Sequence, residues 1–162
     1  MKFIIADAFT NQIFGGNPAG LVVLPDGSDY PDDSVMLKTA AELRYSETAF
    51  IKVLGSNCFK LRYFTPTAEV DLCGHATIAA FTALRELGLA VPGQAMAKTS
   101  AGDLQIDVSG DFIMMEMAEP RLLSTIDSND ALDELRKIMG MKPSALCDGL
   151  PVQLVSTGLP DI

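Results

Sequence analysis

An uninterrupted apolar run from Ala76 to Leu84 constrains the fold of this 162-residue chain more than any other feature. No charged residue interrupts the run, and Arg85 and Glu86 follow it just before Gly88. A helix that is apolar on every side is buried in a core or lies in a membrane, and a membrane span needs about 20 apolar residues. The run therefore predicts a buried central helix over about residues 74–88.

The segment Cys73-Gly74-His75 forms the start of this predicted helix. Free backbone N–H groups and a partial positive charge gather at a helix N-terminus, where they stabilise a bound anion or a developing negative charge. Gly74 leaves room for a ligand to approach the backbone closely. The sequence therefore predicts a functional site at this end of the helix.

Three side chains near this site could carry chemistry, and each has a plainer alternative. His75 is the only histidine of the chain; it is either a structural side chain or a group that donates and accepts protons. Cys73 is either a reactive thiol, because a helix N-terminus lowers the pKa of a thiol, or a small buried hydrophobic side chain. Glu47 is either an exposed carboxylate at a turn or, if apolar neighbours enclose it, an acid and base.

The segments around the central helix have the patterns of strands and of two further helices. Residues 59–63 alternate apolar and charged side chains, as in a half-exposed strand, and the chain after Gly88 has the pattern of strands joined by tight turns. Helices are predicted over residues 32–44 and from Ser128 or Asn129 to Met139. The side chains expected to face inward on the last helix are Leu132, Leu135, Ile138 and Met139.

Composition and charge exclude several classes of function. The formal net charge of −9 argues against nucleic-acid binding, which requires clustered Lys and Arg. The three cysteines, Cys58, Cys73 and Cys147, share no short spacing, so the sequence predicts neither a disulfide framework nor a metal site. The apolar segment at the N-terminus is too short for a signal peptide. We therefore expect a cytoplasmic protein that binds no membrane.

Three motifs of the chain resemble the PhzF-like family, which is named for an isomerase of phenazine biosynthesis. In order along the chain they are Phe14-Gly-Gly-Asn-Pro-Ala-Gly20, Ser46-Glu-Thr-Ala-Phe50 and Tyr63-Phe-Thr-Pro-Thr-Ala-Glu-Val-Asp-Leu-Cys-Gly-His-Ala-Thr77. The family shares a fold with diaminopimelate epimerase and proline racemase. The resemblance implies an α+β fold, in which a mixed or antiparallel sheet curls around a buried central helix.

The resemblance also implies which residues form the active site. Glu47 matches the glutamate that transfers protons in the family, and Gly74 and His75 match the site at the start of the central helix. We expect Glu47 and His75 to be catalytic, and Asn17, Cys73 and Gly74 to bind the substrate. Cys73 stands where the racemase relatives have a catalytic thiol, although many PhzF-like proteins lack it.

Only the first of the two halves found in family members is represented. We expect residues 1–118 to form a first epimerase-like domain, and residues 119–162 to form the crossover and the start of a truncated second domain. The implied function is an isomerase, or its N-terminal half, that moves a proton on a small carboxylated metabolite without a metal or an organic cofactor. The alternatives are a racemase or epimerase that uses Cys73, and an inactive half-domain that serves as a dimerising or binding module. The expected macromolecular partner is a second copy of the chain or a separately encoded second half.

Overall fold

The computed structural model describes residues 1–142, 150–157 and 160–162, which leaves Cys147 outside the described residues. The chain divides into two compact units, Met1–Glu116 and Met117–Ile162. The elements of the first unit are β1 (Lys2–Ala8), β2 (Asn17–Val23), α1 (Asp33–Leu43), β3 (Thr48–Gly55), β4 (Cys58–Phe64), β5 (Glu69–Val70), α2 (Gly74–Glu86), β6 (Gly93–Thr99), β7 (Gly102–Val108) and β8 (Ile113–Met115). The elements described in the second unit are β9 (Arg121–Ile126), α3 (Asn129–Ile138), β10 (Val152–Ser156) and β11 (Pro160–Asp161).

The strands of the first unit, all of whose residues are described, form one mixed sheet of eight strands. Its order is β1-β2-β3-β4-β6-β7-β8, and β5 pairs with β4 beside this path. The β2–β3 and β4–β6 pairs are parallel, whereas the other neighbours are antiparallel. Parallel neighbours need a long crossover connection, and α2 lies in the connection between β4 and β6.

Helix α2 is the centre about which this sheet curls. It packs against β1, β2 and β3 near one end of the sheet and against β8 at the other end. Phe81 of α2 is fully buried, and its ring contacts the ring of Phe59 on β4 edge to face, with 5.3 Å between centroids. The predicted α+β fold with a buried central helix is therefore confirmed. Among the described residues, no helix has the length and apolar content needed to cross a membrane.

One face of α2 is more open than the apolar run predicts. One side of the helix carries four half-buried residues, His75, Ile78, Thr82 and Arg85. The buried positions, among them Ala79, Ala80 and Phe81, lie on the remaining faces. The four half-buried residues follow helical spacing, so they form one stripe along the helix. The helix is thus enclosed by the sheet on most sides and open along the stripe that begins at His75.

A smaller apolar layer lies between α1 and the sheet. Met36 and Ala40 of α1 are fully buried against side chains of β2, β3 and β4. The strand residues of this layer are Val22, Phe50 and Phe64, joined by Leu24 just after β2. Because both faces of the central strands are covered, β2 and β3 are almost continuously apolar.

The second unit contains the predicted last helix, but its apolar face is not enclosed as expected. Ser128 caps α3, since its hydroxyl oxygen accepts a hydrogen bond from the backbone N–H of Ala131. Ile138 and Met139 are 74% and 64% exposed, so the prediction that they face inward is wrong. A unit this small has too little interior to bury every apolar side chain of an amphipathic helix.

Candidate active site

The first motif positions Glu47 through close backbone contacts. The backbone N–H of Gly20 on β2 donates a hydrogen bond of 3.1 Å to the carbonyl oxygen of Glu47, the residue directly before β3. A Cβ added at Gly20 would lie 2.9 Å from the hydroxyl oxygen of Thr48. A Cβ added at Gly16 would lie 2.2 Å from the carbonyl oxygen of Ala8. These glycines therefore allow β1, β2 and the Glu47 segment to lie close together.

Glu47, Cys73 and His75 form one cluster at the N-terminus of α2. His75 Nδ1 lies 3.3 Å from Cys73 Sγ, and His75 Nε2 lies 3.4 Å from Glu47 Oε2. The hydroxyl oxygen of Ser46 is also 3.4 Å from His75 Nε2. The Cys73 sulfur, one carboxylate oxygen of Glu47 and one ring nitrogen of His75 all lie within 4.8 Å of one another. The structure therefore brings together side chains from two of the three motifs that are distant in sequence.

The carboxylate of Glu47 is the least satisfied group of this cluster. Its side chain is 21% exposed, but Oε2 is buried and has no hydrogen-bond partner among the described residues. A buried polar atom without a partner costs about 1–3 kcal/mol, and more when the group is charged. Such an atom in a native structure calls for an explanation, such as a catalytic role or a bound water or ion.

Burial dominates the acidity of Cys73. The residue is 8% exposed, and this burial raises the pKa of its thiol to about 12, with the nearby Glu47 carboxylate adding to the increase. The backbone N–H groups of Ala76 and His75 lower the pKa but do not offset the burial. Removal from water thus outweighs the favourable amides, which argues against the alternative of a reactive thiol whose pKa the helix N-terminus lowers. The alternative of a small buried hydrophobic side chain describes Cys73 better.

A buried hydroxyl chain anchors the start of α2. The carbonyl oxygen of Cys73 accepts a hydrogen bond of 2.7 Å from the Thr77 hydroxyl and one of 3.0 Å from the Thr77 backbone N–H. The Thr77 hydroxyl oxygen lies 2.6 Å from the hydroxyl of Tyr63 on β4. Since the only hydroxyl proton of Thr77 goes to Cys73, Tyr63 is the donor in that contact. Sequence reasoning missed Tyr63 and Thr77 as site-positioning residues, although they begin and end the third motif.

Gly74 and Asn17, both predicted to bind substrate, occupy different surroundings. Gly74 is the first residue of α2, and a Cβ added there would lie 3.6 Å from Met115 Cε, an ordinary contact distance. The fold therefore tolerates a side chain at this position, and its glycine is not required by close packing. Asn17 begins β2, pairs with Ala8 and is exposed. Asn17 lies outside the cluster formed by Glu47, Cys73 and His75.

A groove of about 700 Å³ runs along the half-buried stripe of α2. Ile78, one turn beyond His75, lines it together with Thr82 and Arg85. The Arg85 guanidinium donates hydrogen bonds to the carbonyl oxygens of Ser109 and Gly110, which hold it against the β7–β8 turn. The remaining lining residues are Asp7, Ala8, Phe9, Thr10, Asn11, Gln12, Asp111, Phe112 and Ile113.

Comparison with known proteins gives consistent matches. The family model described as "Phenazine biosynthesis-like protein" matches residues 6–162. An uncharacterized isomerase of Clostridium acetobutylicum is 38% identical over 159 residues, which cover 94% of this chain and 51% of that protein. The crystal structure of a PhzF-family phenazine biosynthesis protein from Bacillus anthracis matches with a TM-score of 0.81 and 34% identity, covering 99% of this chain and 55% of that one.

A more distant structure shows the same fold. A protein from Pseudomonas aeruginosa described as a predicted epimerase matches with a TM-score of 0.80 at 22% identity, covering 98% of this chain and 56% of that one. The epimerase-like fold inferred from the motifs is confirmed by this match. The chain spans about half the length of the curated relatives it matches.

Proposed function

Because the chain belongs to the phenazine biosynthesis-like (PhzF-like) protein family, we propose that it is an isomerase, or half of one, that moves a proton on a small carboxylated metabolite. The observation that carries this proposal is the buried, unpartnered Oε2 of Glu47 beside His75 at the N-terminus of α2. A carboxylate in this position is equipped to take a proton from a bound molecule and to return it.

The proposed reaction uses the start of α2 to hold the substrate and the carboxylate of Glu47 to move the proton. The carboxylate of the substrate lies at the start of α2, where backbone N–H groups and the helix dipole favour negative charge. Glu47 removes a proton from an acidic carbon, and the electron pair left behind delocalises toward the substrate's own unsaturated system. Glu47 then gives the proton back at a different carbon, so no atom is gained or lost. The helix N-terminus stabilises the negative charge while it moves.

His75 supports this transfer from both of its ring nitrogens. Nε2 faces the Glu47 carboxylate, and Nδ1 faces the Cys73 sulfur. A histidine held on two sides keeps one orientation, and it supplies or accepts a proton as the charge on Glu47 changes. In this proposal Gly74 allows the substrate to approach the helix backbone, and Cys73 and Asn17 contact the substrate.

A racemase or epimerase that uses Cys73 is the second candidate. The 3.3 Å separation of Cys73 Sγ from His75 Nδ1 favours it, because histidine can take the proton of a thiol nucleophile. Burial of Cys73, which raises its pKa, argues against a readily formed thiolate. We therefore rank this candidate below proton transfer by Glu47.

A further part of the proposal is that a second surface covers the open end of the site. The loop before Asn17 exposes three large apolar side chains, Phe9, Ile13 and Phe14, which are 74%, 86% and 94% accessible. Clustered exposed apolar side chains mark an interaction surface. We propose either a homodimer, which would place two copies of Glu47 and His75 in one cleft, or a complex with a separate second half.

Hydrogen exchange in heavy water distinguishes the isomerase from a non-catalytic module. The chain is incubated in D₂O with a panel of small carboxylates that carry an acidic carbon, both amino acids and unsaturated hydroxy acids. Proton NMR then follows loss of the carbon-bound signal. Exchange of at least one compound only when the chain is present supports the isomerase. Absence of exchange across the panel, with saturable binding of a carboxylate, would favour the binding module instead.

A further inference from the structure

We propose that Tyr63 is a positioning residue, which holds the start of α2 against the strands and so fixes the geometry between Glu47 and His75. Tyr63 lies outside the cluster formed by Glu47, Cys73 and His75, so it acts through these residues and not on the substrate. The inference rests on the proposed function for its effect on the reaction rate, whereas its effect on the geometry of the site can be measured without a substrate.

The register of β4 places Tyr63 between the two segments that lead to the site. On one side β4 pairs with β3, and Tyr63 lies opposite Ala49, two residues after Glu47. On the other side β4 pairs with β5, and Tyr63 lies opposite Val70, three residues before Cys73. The backbone of Tyr63 therefore joins both segments in one register.

The side chain of Tyr63 adds a link to the third segment, α2. Its ring belongs to the core around α2, whereas the next residue of the strand, Phe64, faces the layer beneath α1. The Tyr63 hydroxyl donates a hydrogen bond of 2.6 Å to Thr77 Oγ1, and the Thr77 hydroxyl donates one of 2.7 Å to the carbonyl oxygen of Cys73. Cys73 directly precedes α2, so this hydroxyl relay holds the backbone from which His75 projects.

The contact with Tyr63 distinguishes Thr77 from the other threonines of the described helices. Thr39 of α1 and Thr82 of α2 also donate to the carbonyl oxygen four residues earlier, which is an ordinary contact for threonine in a helix. Of these three threonines, Thr77 is the one whose hydroxyl oxygen accepts a hydrogen bond from a tyrosine. The relay is therefore a specific link between β4 and the first turn of α2.

Burial makes the relay strong and keeps its direction. Tyr63 and Thr77 are both fully buried, and hydrogen bonds that follow one another in a chain strengthen each other in an interior of low dielectric constant. Burial also raises the pKa of Tyr63, so its hydroxyl stays protonated at neutral pH and remains a donor. Loss of this hydroxyl should therefore loosen the start of α2 even when the ring is retained.

Proton NMR of His75 tests the inference directly, because this residue is the only histidine of the chain. Tyr63→Phe keeps the ring and removes the hydroxyl. We expect it to shift the ring C–H signals of His75. We also expect it to slow substrate-dependent exchange in D₂O by roughly 10- to 100-fold, since misplacing a reacting group by about 1 Å can cost about 100-fold. The matched control is Tyr30→Phe, which removes a hydroxyl that donates to the carbonyl oxygen of Lys60 and should leave both readouts unchanged.

Three further variants separate positioning from a general loss of stability. Thr77→Val removes the middle hydroxyl of the relay and should repeat the shift of Tyr63→Phe. Thr77→Ser keeps a hydroxyl and should keep the wild-type His75 signals. Ile106→Val removes one methyl group from the same buried core, which lowers stability on the scale of a lost hydrogen bond, but it should leave the His75 signals in place.

The outcomes separate this inference from the isomerase proposal. Unchanged His75 signals in both Tyr63→Phe and Thr77→Val would overturn the inference, and an equal shift in Ile106→Val would do the same. A wild-type exchange rate in Tyr63→Phe would also overturn it, even with shifted signals, because the altered geometry would then not affect proton transfer. If the wild type exchanges no compound, the isomerase proposal fails, and the NMR comparison still decides whether Tyr63 positions His75.

Discussion

Glu47 Oε2 lies 3.4 Å from His75 Nε2, although β3, β4 and β5 separate the two residues in the sequence. This distance exceeds the usual N–H···O range of about 2.7–3.2 Å. The two groups therefore lie close together, yet Oε2 has no hydrogen-bond partner among the described residues. The Glu47 carboxylate is thus held beside His75 without a direct hydrogen bond to it.

The central helix should dominate the stability of the first unit. Phe81→Ala removes a fully buried ring that contacts Phe59, so we expect a loss of about 3–5 kcal/mol in the free energy of unfolding. Denaturant titration measures it. Phe112→Ala removes a ring that is 70% exposed and should change stability by about 0.5 kcal/mol or less. Similar small effects for both variants would contradict the buried position of Phe81.

The Cys73 thiol should be unreactive in the folded chain. Its pKa is raised to about 12 by burial, and only the thiolate reacts with iodoacetamide, so alkylation at pH 8 should be about 10²–10³-fold slower than in the unfolded chain. Mass spectrometry of a Cys58→Ser, Cys147→Ser background isolates this thiol. Rapid alkylation at neutral pH would instead indicate an activated thiolate and favour the racemase.

The same raised pKa predicts how stability changes in alkaline solution. Between about pH 9 and 12 the folded chain keeps the Cys73 proton that the unfolded chain releases. The free energy of unfolding should therefore fall as pH rises through this window, and Cys73→Ala should reduce the fall. A slope identical in the two chains would show that Cys73 does not contribute.

The glycines of the first and third motifs should differ in their tolerance of alanine. Gly16→Ala places a Cβ 2.2 Å from the Ala8 carbonyl oxygen, and relieving that overlap should cost about 1–3 kcal/mol or more. Gly74→Ala meets only Met115 Cε at 3.6 Å, so stability should change by less than about 1 kcal/mol. Thermal unfolding of the two variants checks the contrast. A large loss of stability in Gly74→Ala would show that its glycine serves the fold.

The proposed covering of the site predicts association. Analytical ultracentrifugation at micromolar concentration should detect a dimer. Asn17→Arg, which places a bulky charge beside the exposed loop, should weaken it. Ser34→Arg adds the same charge on exposed α1 and serves as the control. A monomer at every concentration would remove the homodimer and leave a separate second half as the proposed partner.

The sequence predicted the fold well because its strongest patterns are set by burial. The apolar run of α2 and the alternation in β4 follow directly from the sheet curling around one helix. The open stripe of α2 was not predictable from the run, since Ile78 is apolar whether or not a neighbour covers it. Ile138 and Met139 were mispredicted for the same reason, because periodicity shows which side of α3 is apolar and not whether anything encloses it.

The site was predictable in its residues but not in its environment. Glu47, Cys73 and His75 were singled out from motifs, and the structure brings the three together; their catalytic and binding roles remain predictions. The distance from Glu47 to the other two depends on the pairing of β3 with β4, in which Thr48 lies opposite Phe64, and no local pattern reveals this pairing. The pKa of Cys73 depends on how completely the sheet removes it from water, and the position at a helix N-terminus carries no information about that.

Substrate-dependent hydrogen exchange in Glu47→Gln tests the central claim most directly. The substitution keeps the shape of the side chain and removes the group that transfers the proton. With a carboxylate that the wild type exchanges in D₂O, we expect Glu47→Gln to lose at least about 100-fold in exchange rate while the fold survives, the lower end of general acid–base catalysis. Glu42→Gln, on the exposed side of α1, should exchange at the wild-type rate. Exchange in Glu47→Gln at the wild-type rate would contradict the account and assign proton transfer to another residue.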